Sequence, residues 1–273
     1  MARSRGDDFN RVVDRYALER WLYRLSVSDA RDRLWLKGAM LFTLWFDSPH
    51  RPTRDADFLG HGPRDPEALA AMVRQVSAIA CDDGVEFGPD SVTVEEIREG
   101  VRYGGLRVKV LGFLGRARCP VQLDVGFGDS VVPGVDEVEF PTLLDDVPAP
   151  HLRVYPRATV VAEKLEAIAS LGMANSRMKD YFDLHALARE GAIDEVVLGE
   201  AIAATFHRRA TPLPTGLPTG LTQEFADDAD KQTQWRAFLR KNHLDGPTLE
   251  DVVKEIASLV REPLERARGG EGV

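Results

Sequence analysis

The sequence has few cysteines and no long hydrophobic run. Only Cys81 and Cys119 occur in 273 residues, and they lack the CxxC or Cys/His spacing that a zinc site or a redox pair needs. No stretch of about 18 apolar residues is present, and the start, MARSRGDDFN, lacks the apolar segment of a secretory signal. These features predict a cytoplasmic protein with two buried or idle thiols.

Basic residues are outnumbered by acidic ones, 35 against 44. The net charge of −9 argues against a protein that coats nucleic acid through bulk charge. One local exception is the segment 106–121, which contains basic residues and no acid. This segment is either a phosphate-facing strip or a solvated hairpin. Its basic residues are Arg107, Lys109, Arg116 and Arg118.

Several common catalytic motifs are missing. The histidines show no HExxH or HxH spacing, and the sequence contains neither a GxSxG elbow nor a GxxxxGK[ST] loop. We therefore expect no zinc site, and the sequence does not favour a serine hydrolase or a P-loop enzyme.

The composition, with 44% hydrophobic and 29% charged residues, is typical of a folded globular protein. The length favours two modest domains, which we place at residues 1–150 and 151–273. Apolar residues recur with both strand and helix periods in the first domain, and with the helix period in the second. The predicted fold class is α+β, followed by a helical C-terminal domain.

The predicted elements follow from these periods and from turn residues. In the first domain we predict helices at 8–29, 39–46 and 66–81, and strands at 33–37, 55–59, 91–97, 103–111 and 120–127. The last three strands form an antiparallel meander. Residues 130–157, rich in proline and acids, predict a long connection. The second domain has predicted helices at 157–172, 177–190, 194–207, 231–242 and 248–267, and a loop at 211–222.

Three aspartates are the strongest candidates for chemistry. Asp55 and Asp57 alternate along one predicted strand, so their carboxylates point to one side, about 6–7 Å apart. They are either magnesium ligands or solvated acids on an edge strand. Asp124 projects from the face opposite to its apolar neighbours in VQLDVGF. Three carboxylates on neighbouring strands can hold two divalent ions that bridge nucleotide phosphates, as nucleotidyl transfer requires.

A glycine turn precedes the predicted helix at 39–46. Gly38 would let backbone N–H groups approach a phosphate, and the helix dipole would favour its negative charge. Lys37, beside it, either adds a positive charge to this site or is simply solvated.

A second group of charged residues lies in the helical domain. Lys164 falls on the apolar stripe of its helix, where a lysine either reaches a partner such as a nucleotide phosphate or snorkels to water. At least one of Asp180 and Asp183 borders the buried stripe of the next helix. Each is either catalytic or a structural partner of Arg177, Lys179 or Lys164.

Four groups of segments resemble, in chain order, the AbiEii/AbiGii nucleotidyltransferase toxins, which include the MenT toxins of mycobacteria. They are WLKGAMLFTLWF with RPTRDADFLG, VQLDVGFGD, AEKLEAI and RMKDYFDLH, over about residues 30–190. The resemblance implies a polymerase-β-like lobe with a mixed or antiparallel sheet, a helical C-terminal lobe, magnesium as cofactor and an NTP as co-substrate. It also implies a cognate AbiEi-type antitoxin. Some MenT toxins add pyrimidine nucleotides to the 3′ end of tRNA and so block aminoacylation.

The resemblance also implies roles for individual residues. Asp55 and Asp57 match the metal-binding pair, and Lys164 matches the essential lysine of the family. One of Asp180 and Asp183 matches its later essential aspartate. Asp124 matches the third carboxylate of polymerase-β-type enzymes.

One departure concerns the phosphate-binding turn. Many polymerase-β-type enzymes have Gly-Ser or Gly-Gly where this chain has Gly38 and Ala39. The backbone donors are kept but a hydroxyl is lost. Phosphate binding is then expected either to be weaker or to rely more on Lys37 and Arg54.

We therefore predict a magnesium-dependent transfer of NMP from an NTP to an RNA 3′ end, with tRNA as the leading acceptor. Basic residues would hold the acceptor through its phosphates and 2′-hydroxyls. Two alternatives remain: NMP transfer to a protein or an antibiotic-like small molecule, and a non-catalytic protein that binds nucleotide or antitoxin. The candidate RNA contacts are Arg107, Lys109, Arg116, Arg118, Arg208 and Arg209.

Overall fold

A computed structural model describes residues 9–46, 50–53, 55–97, 104–191 and 193–269. The chain divides into two compact units, each built from two segments. Unit 1 comprises Met1–Gly128 and Asp136–Val154, and unit 2 comprises Asp129–Val135 and Tyr155–Val273. The division into folding domains at 1–150 and 151–273 stays a prediction.

Unit 1 is built on a mixed sheet to which the described residues contribute seven strands. They are β1 Leu34–Lys37, β2 Asp55–Gly60, β3 Val85–Ile97, β4 Gly105–Leu114, β5 Ala117–Phe127, β6 Asp136–Glu139 and β7 His151–Val154. Their order in the sheet is β3-β4-β5-β2-β1-β7-β6. The pairs β2/β5 and β1/β7 are parallel, and the other neighbours are antiparallel. The predicted α+β class and the β3–β5 meander are confirmed.

Among the described residues, unit 1 has three helices, α1 Phe9–Ser26, α2 Phe42–Trp45 and α3 Pro66–Ser77. Helices α1 and α3 pack against the sheet. Helix α3 begins where the Asp65 side chain accepts hydrogen bonds from the first-turn amides, with Pro66 following. Trp21 of α1 packs edge-on against Phe58 of β2, with ring centroids 6.2 Å apart. Because side chains alternate along a strand, this packing turns the residues on either side of Phe58 to the opposite face.

Unit 2 is helical, as predicted. Its helices are α4 Arg157–Leu171, α5 Met178–Glu190, α6 Glu195–Arg208, α7 Gln223–Asp227, α8 Ala229–Asn242 and α9 Leu249–Gly269. Helix α9 buries Val252, Ile256 and Val260 along one stripe. The predicted loop at 211–222 ends in a 3-10 turn, Thr219–Leu221. Each helix of the described residues is too short or too polar to cross a bilayer.

Residues 130–157, predicted as a long connection, also supply two strands that the sequence did not predict, β6 and β7. Strand β6 is an exposed edge strand in which Val138 is the one apolar residue. Strand β7 pairs in parallel with β1, far away in sequence. Four residues are too few to show an alternating pattern, and a non-local partner leaves no local signal.

Candidate active site

Five charged residues lie side by side across the sheet of unit 1. The strand register pairs Lys37 with Asp57, Asp57 with Asp124, Asp124 with Arg107, and Arg107 with Glu95. We call these residues the charged row. From β1 to β3 its charges are positive, negative, negative, positive and negative. Two acids therefore meet at the centre, where like charges repel unless a cation neutralises them.

Asp55 completes a group of three carboxylates, since it lies two residues before Asp57 on the same face. One oxygen from each of Asp55, Asp57 and Asp124 lies within 4.8 Å of the other two. All three residues are half-buried. Oxygen donors at this spacing suit a hard divalent cation such as magnesium. The three predicted metal residues thus share one site, and their role as ligands stays a prediction.

Two neighbouring side chains hold the carboxylates, and the sequence analysis did not identify either. Thr53 donates its hydroxyl to Asp55 Oδ1 at 2.8 Å. Gln122 Nε2 lies 3.4 Å from Asp124 Oδ1 and makes a weaker contact. Thr53 lies two residues before Asp55, the first aspartate of the D-x-D strand. A hydroxyl at this position is the sequence signal that could have identified Thr53 as a partner of Asp55.

Arg107 binds Asp124 with two hydrogen bonds. Its Nε donates to Asp124 Oδ1 at 2.8 Å, and its Nη2 donates to Oδ2 at 2.6 Å. These bonds raise the pKa of Arg107 further above its ordinary value. The sequence analysis assigned Arg107 to RNA phosphates. The structure shows it instead as the partner of a candidate metal ligand.

The predicted phosphate turn lies directly beside Asp57. Gly38 has φ +73°, and a Cβ at this position would lie 2.8 Å from the Cβ and Cγ of Asp57. Glycine is therefore required both by the backbone conformation and by the close approach. Lys37 is the last residue of β1, and Ala39 lies in the turn that follows. Arg54 lies outside the described residues.

The helix after this turn differs from the predicted one. Residues Gly38–Leu41 form a 3-10 turn, and the α-helical part, α2, has only four residues. Such a short helix adds little macrodipole at Gly38. Binding of phosphate by Lys37, Gly38 and Ala39 stays a prediction that depends on backbone N–H groups and the lysine charge.

The charged residues predicted in the helical domain also meet, in unit 2. Lys164 Nζ donates to Asp180 Oδ1 at 2.7 Å and to Asp183 Oδ2 at 2.8 Å. Arg177 Nε donates to the other oxygen of Asp180 at 2.7 Å. The Lys164 side chain is 12% exposed, and the two acids are 3% and 0% exposed. We call Lys164, Asp180, Asp183 and Arg177 the lysine cluster.

The lysine cluster keeps its charges although Lys164, Asp180 and Asp183 are mostly or fully buried. Burial alone would lower the pKa of Lys164, but Asp180 and Asp183 bring it above its ordinary value. Burial would likewise raise the pKa of Asp180, but Lys164 and Arg177 bring it below its ordinary value. The cluster is therefore an ion-paired network in which every member supports the charge of another.

Arg209, a predicted RNA contact, belongs to a different network in unit 2. Its Nη1 lies 2.9 Å from Glu166, and its Nη2 lies 3.3 Å from both Asp129 and Glu163. Its side chain is mostly buried, and Thr211 donates a further hydrogen bond to Glu166. We therefore do not retain Arg209 as an RNA contact. Lys109, Arg116, Arg118 and Arg208 are exposed.

Comparison with known proteins gives a family and a fold. The chain matches the model of the nucleotidyl transferase AbiEii toxin family of type IV toxin–antitoxin systems over residues 20–257. Its fold is similar to that of JHP933 from Helicobacter pylori, with a TM-score of 0.54 and 16% identity over 97% of each chain. It is also similar to a candidate nucleotidyltransferase from H. pylori, with a TM-score of 0.53 and 16% identity over 94% of this chain and 97% of the other. No curated protein matches it.

The matched segment contains every residue of the charged row and of the lysine cluster. The two crystal structures, at 16% identity, support the fold alone. The family match covers most of the sequence and supplies the activity, and its toxin–antitoxin type implies an antitoxin partner. This chain belongs to the AbiEii nucleotidyl transferase toxin family.

Proposed function

We propose that the chain transfers an NMP from an NTP to the 3′-hydroxyl of an RNA, with tRNA as the leading acceptor and magnesium as the cofactor. The observation that carries this proposal is the group of three carboxylates, with one oxygen of each within 4.8 Å of the others. Bound magnesium would supply the positive charge that draws the triphosphate in and stabilises the charge of the leaving pyrophosphate.

The reaction is an in-line displacement. The 3′-hydroxyl oxygen attacks the α-phosphorus, the bond from that phosphorus to the bridging oxygen breaks, and pyrophosphate leaves. A carboxylate of the group Asp55, Asp57 and Asp124 accepts the proton of the hydroxyl. Positioning and charge stabilisation supply most of the catalysis in such reactions.

The backbone of Gly38 and Ala39, with the side chains of Lys37 and Arg54, would bind the triphosphate in unit 1. In unit 2, Lys164 would be the essential lysine of the family. Its hydrogen bonds to Asp180 and Asp183 would hold the ammonium in place.

The acceptor and the partner complete the proposal. Exposed bases would contact the RNA through its phosphates and 2′-hydroxyls. The antitoxin would be of the AbiEi type, and the site of action would be the cytoplasm, where NTPs and tRNA are found. The proposed RNA contacts are Lys109, Arg116, Arg118 and Arg208.

A labelling experiment tests the proposal. The purified protein is incubated with magnesium, total RNA and each α-labelled NTP in turn, and the products are separated on a denaturing gel. Asp57→Asn removes a candidate ligand. Asp136→Asn, at an exposed position of β6 in the same sheet, is the matched control.

We expect label on tRNA-sized RNA with the wild type and the Asp136→Asn variant, and none with Asp57→Asn. No label on any RNA would overturn the RNA proposal. Label in the protein fraction or in a small molecule would then identify the acceptor class. Equal toxicity of the wild type and the Asp57→Asn variant in cells would instead favour a non-catalytic binding protein.

A further inference from the structure

The contact between Arg107 and Asp124 has a geometry that only arginine provides. A guanidinium binds both oxygens of one carboxylate through two parallel N–H groups, here at 2.8 and 2.6 Å. The Arg107 side chain is 30% exposed and that of Asp124 is 13% exposed, so solvent screens the pair only in part. Both oxygens of one of the three candidate metal ligands are therefore engaged by an internal cation.

The surroundings direct Arg107 to Asp124. Glu95, its neighbour on the other side of the charged row, forms its own ion pair with Lys109 at 2.8 Å. Arg107 therefore pairs with Asp124, and Lys109 pairs with Glu95. Arg107 neutralises the centre of the row, where Asp57 and Asp124 lie opposite each other.

We propose that Arg107 is a resident counter-cation that competes with a divalent ion for Asp124. This inference rests on the proposed function, because it takes Asp55, Asp57 and Asp124 as the ligands. A divalent ion and a guanidinium that share one carboxylate repel each other, so each lowers the affinity of the site for the other. Arg107 is thus a positioning residue that acts on the ion through Asp124.

The proposal has two measurable consequences. Loss of the Arg107 charge tightens ion binding, because the competitor is gone. It also leaves Asp124 without the guanidinium that offsets its charge before the ion binds, so the protein then depends more on the ion for its stability. A residue that merely orients Asp124 for the ion has the opposite effect on affinity, because its loss leaves the ligand less ordered.

The experiment is a manganese titration of the full chain without NTP or RNA, with free Mn²⁺ measured by electron paramagnetic resonance. Arg107→Gln removes the charge, and Arg107→Lys keeps the charge but loses the two-pronged contact. Lys109→Gln is the matched control, since it removes one positive charge from the same face of β4 without touching Asp124. Circular dichroism checks the fold of each variant.

We expect Arg107→Gln to bind Mn²⁺ about tenfold more tightly than the wild type, a change on the scale of one charge-assisted hydrogen bond. Arg107→Lys should fall between the two. Lys109→Gln should stay within about twofold of the wild type, because the exposed Lys109 pairs with Glu95 and not with Asp124, and such surface pairs contribute little. The rise in melting temperature caused by saturating Mn²⁺ should be larger for Arg107→Gln than for the wild type.

Weaker or unchanged Mn²⁺ binding by Arg107→Gln would overturn the proposal, and so would an equal gain in Lys109→Gln. If Arg107→Gln does not fold, the same comparison between Arg107→Lys and the wild type decides. The proposed function can fail separately from this inference. If the wild-type protein binds no Mn²⁺, the proposed metal site is wrong. If the protein labels RNA but its Mn²⁺ affinity does not change when Arg107 is replaced, only this inference is wrong.

Discussion

The Cα of Gly38 lies against the side chain of Asp57, with no room for a Cβ between them. The contact joins the turn after β1 to the central acid of the charged row. Because Gly38 also has a positive φ, two independent constraints require glycine at this position. The backbone of the proposed phosphate site and the carboxylate of the proposed metal site therefore hold each other in place.

The substitution Gly38→Ala should reduce nucleotidyl transfer by about a hundredfold, since the added methyl displaces Asp57 and a shift of about 1 Å has effects of that size. The left-handed backbone adds a strain of about 1–2 kcal/mol. Labelled NTP transfer measures the first effect. Gly115→Ala is the control, because residue 115 also has a positive φ, of +59°, but an open environment. Similar activities of the two variants would contradict this prediction.

The substitution Thr53→Val should weaken the apparent affinity for magnesium by about tenfold, because Asp55 loses the hydroxyl that orients it. Valine keeps the shape of the side chain. Thr53→Ser keeps the donor and should stay close to the wild type. The measurement is the magnesium concentration that gives half-maximal transfer. An equal loss in the serine variant would show that shape, and not the hydrogen bond, matters at residue 53.

The substitution Lys164→Met should lower the free energy of unfolding by about 3–5 kcal/mol, because Asp183 and Asp180 are left buried with less positive charge nearby. Urea denaturation measures this. Lys179→Met, at an exposed position of α5, the helix that carries Asp180 and Asp183, should change the value little. If Lys164→Met is inactive but as stable as the wild type, the lysine acts on the substrate and not on the fold.

The lysine cluster also predicts a dependence of stability on pH. The pKa of Asp180 is lowered in the folded protein, so its stabilising contribution is present above the ordinary aspartate pKa of about 4. This contribution is lost as the pH falls through the lower, folded-state value. Asp180→Asn should therefore lose less stability than the wild type between about pH 4 and pH 2.5. If the unfolding free energies of the wild type and Asp180→Asn decrease equally over this pH range, the prediction is contradicted.

The raised pKa of Lys164 acts at the other end of the scale. Its contribution is complete below the ordinary lysine pKa of about 10.4 and is lost as the pH rises through the higher, folded-state value. The cluster is thus expected to hold its full strength over the whole neutral range. Neutral pH therefore suits all the activity measurements above.

The substitution Arg209→Gln should destabilise unit 2 by about 3–5 kcal/mol, since it leaves the carboxylates of Glu166, Glu163 and Asp129 without their shared cation. Arg208→Gln removes the same charge from an exposed neighbour and should leave the unfolding free energy nearly unchanged. Nitrocellulose filter binding of labelled tRNA should show the opposite: Arg208→Gln should bind tRNA more weakly than the wild type, and more weakly than folded Arg209→Gln. A folded Arg209→Gln protein with selectively weakened RNA binding would contradict this assignment.

The sequence was sufficient to place the three aspartates on one face, because period-two alternation determines the side to which a strand residue points. It did not determine that Asp57 lies directly across from Asp124. Strands β2 and β5 pair in parallel across a long sequence separation, and no local turn fixes that register. The helical C-terminal half was predictable because its long amphipathic segments carry their own signal.

The Arg107–Asp124 pair was within reach of sequence reasoning. Leu114 pairs with Ala117, so Gly115 and Arg116 form a two-residue hairpin turn. Counting outward from that turn puts Arg107 opposite Asp124. The predicted strands, 103–111 and 120–127, left too wide a gap between them, which concealed the register. By contrast, the buried Arg24 of α1, which binds Asp83, follows from no pattern in its own helix.

The discontinuous composition of unit 1 has a consequence for synthesis on the ribosome. All three carboxylates have been made by residue 124, but β7, the strand that covers the outer edge of β1, ends only at Val154. Until then β1 presents unpaired backbone groups, which is the situation that promotes pairing with other chains. The candidate metal ligands are thus synthesised before the strand that protects the sheet edge. We expect ribosome-bound fragments that end before residue 151 to aggregate more readily than those that extend past residue 154.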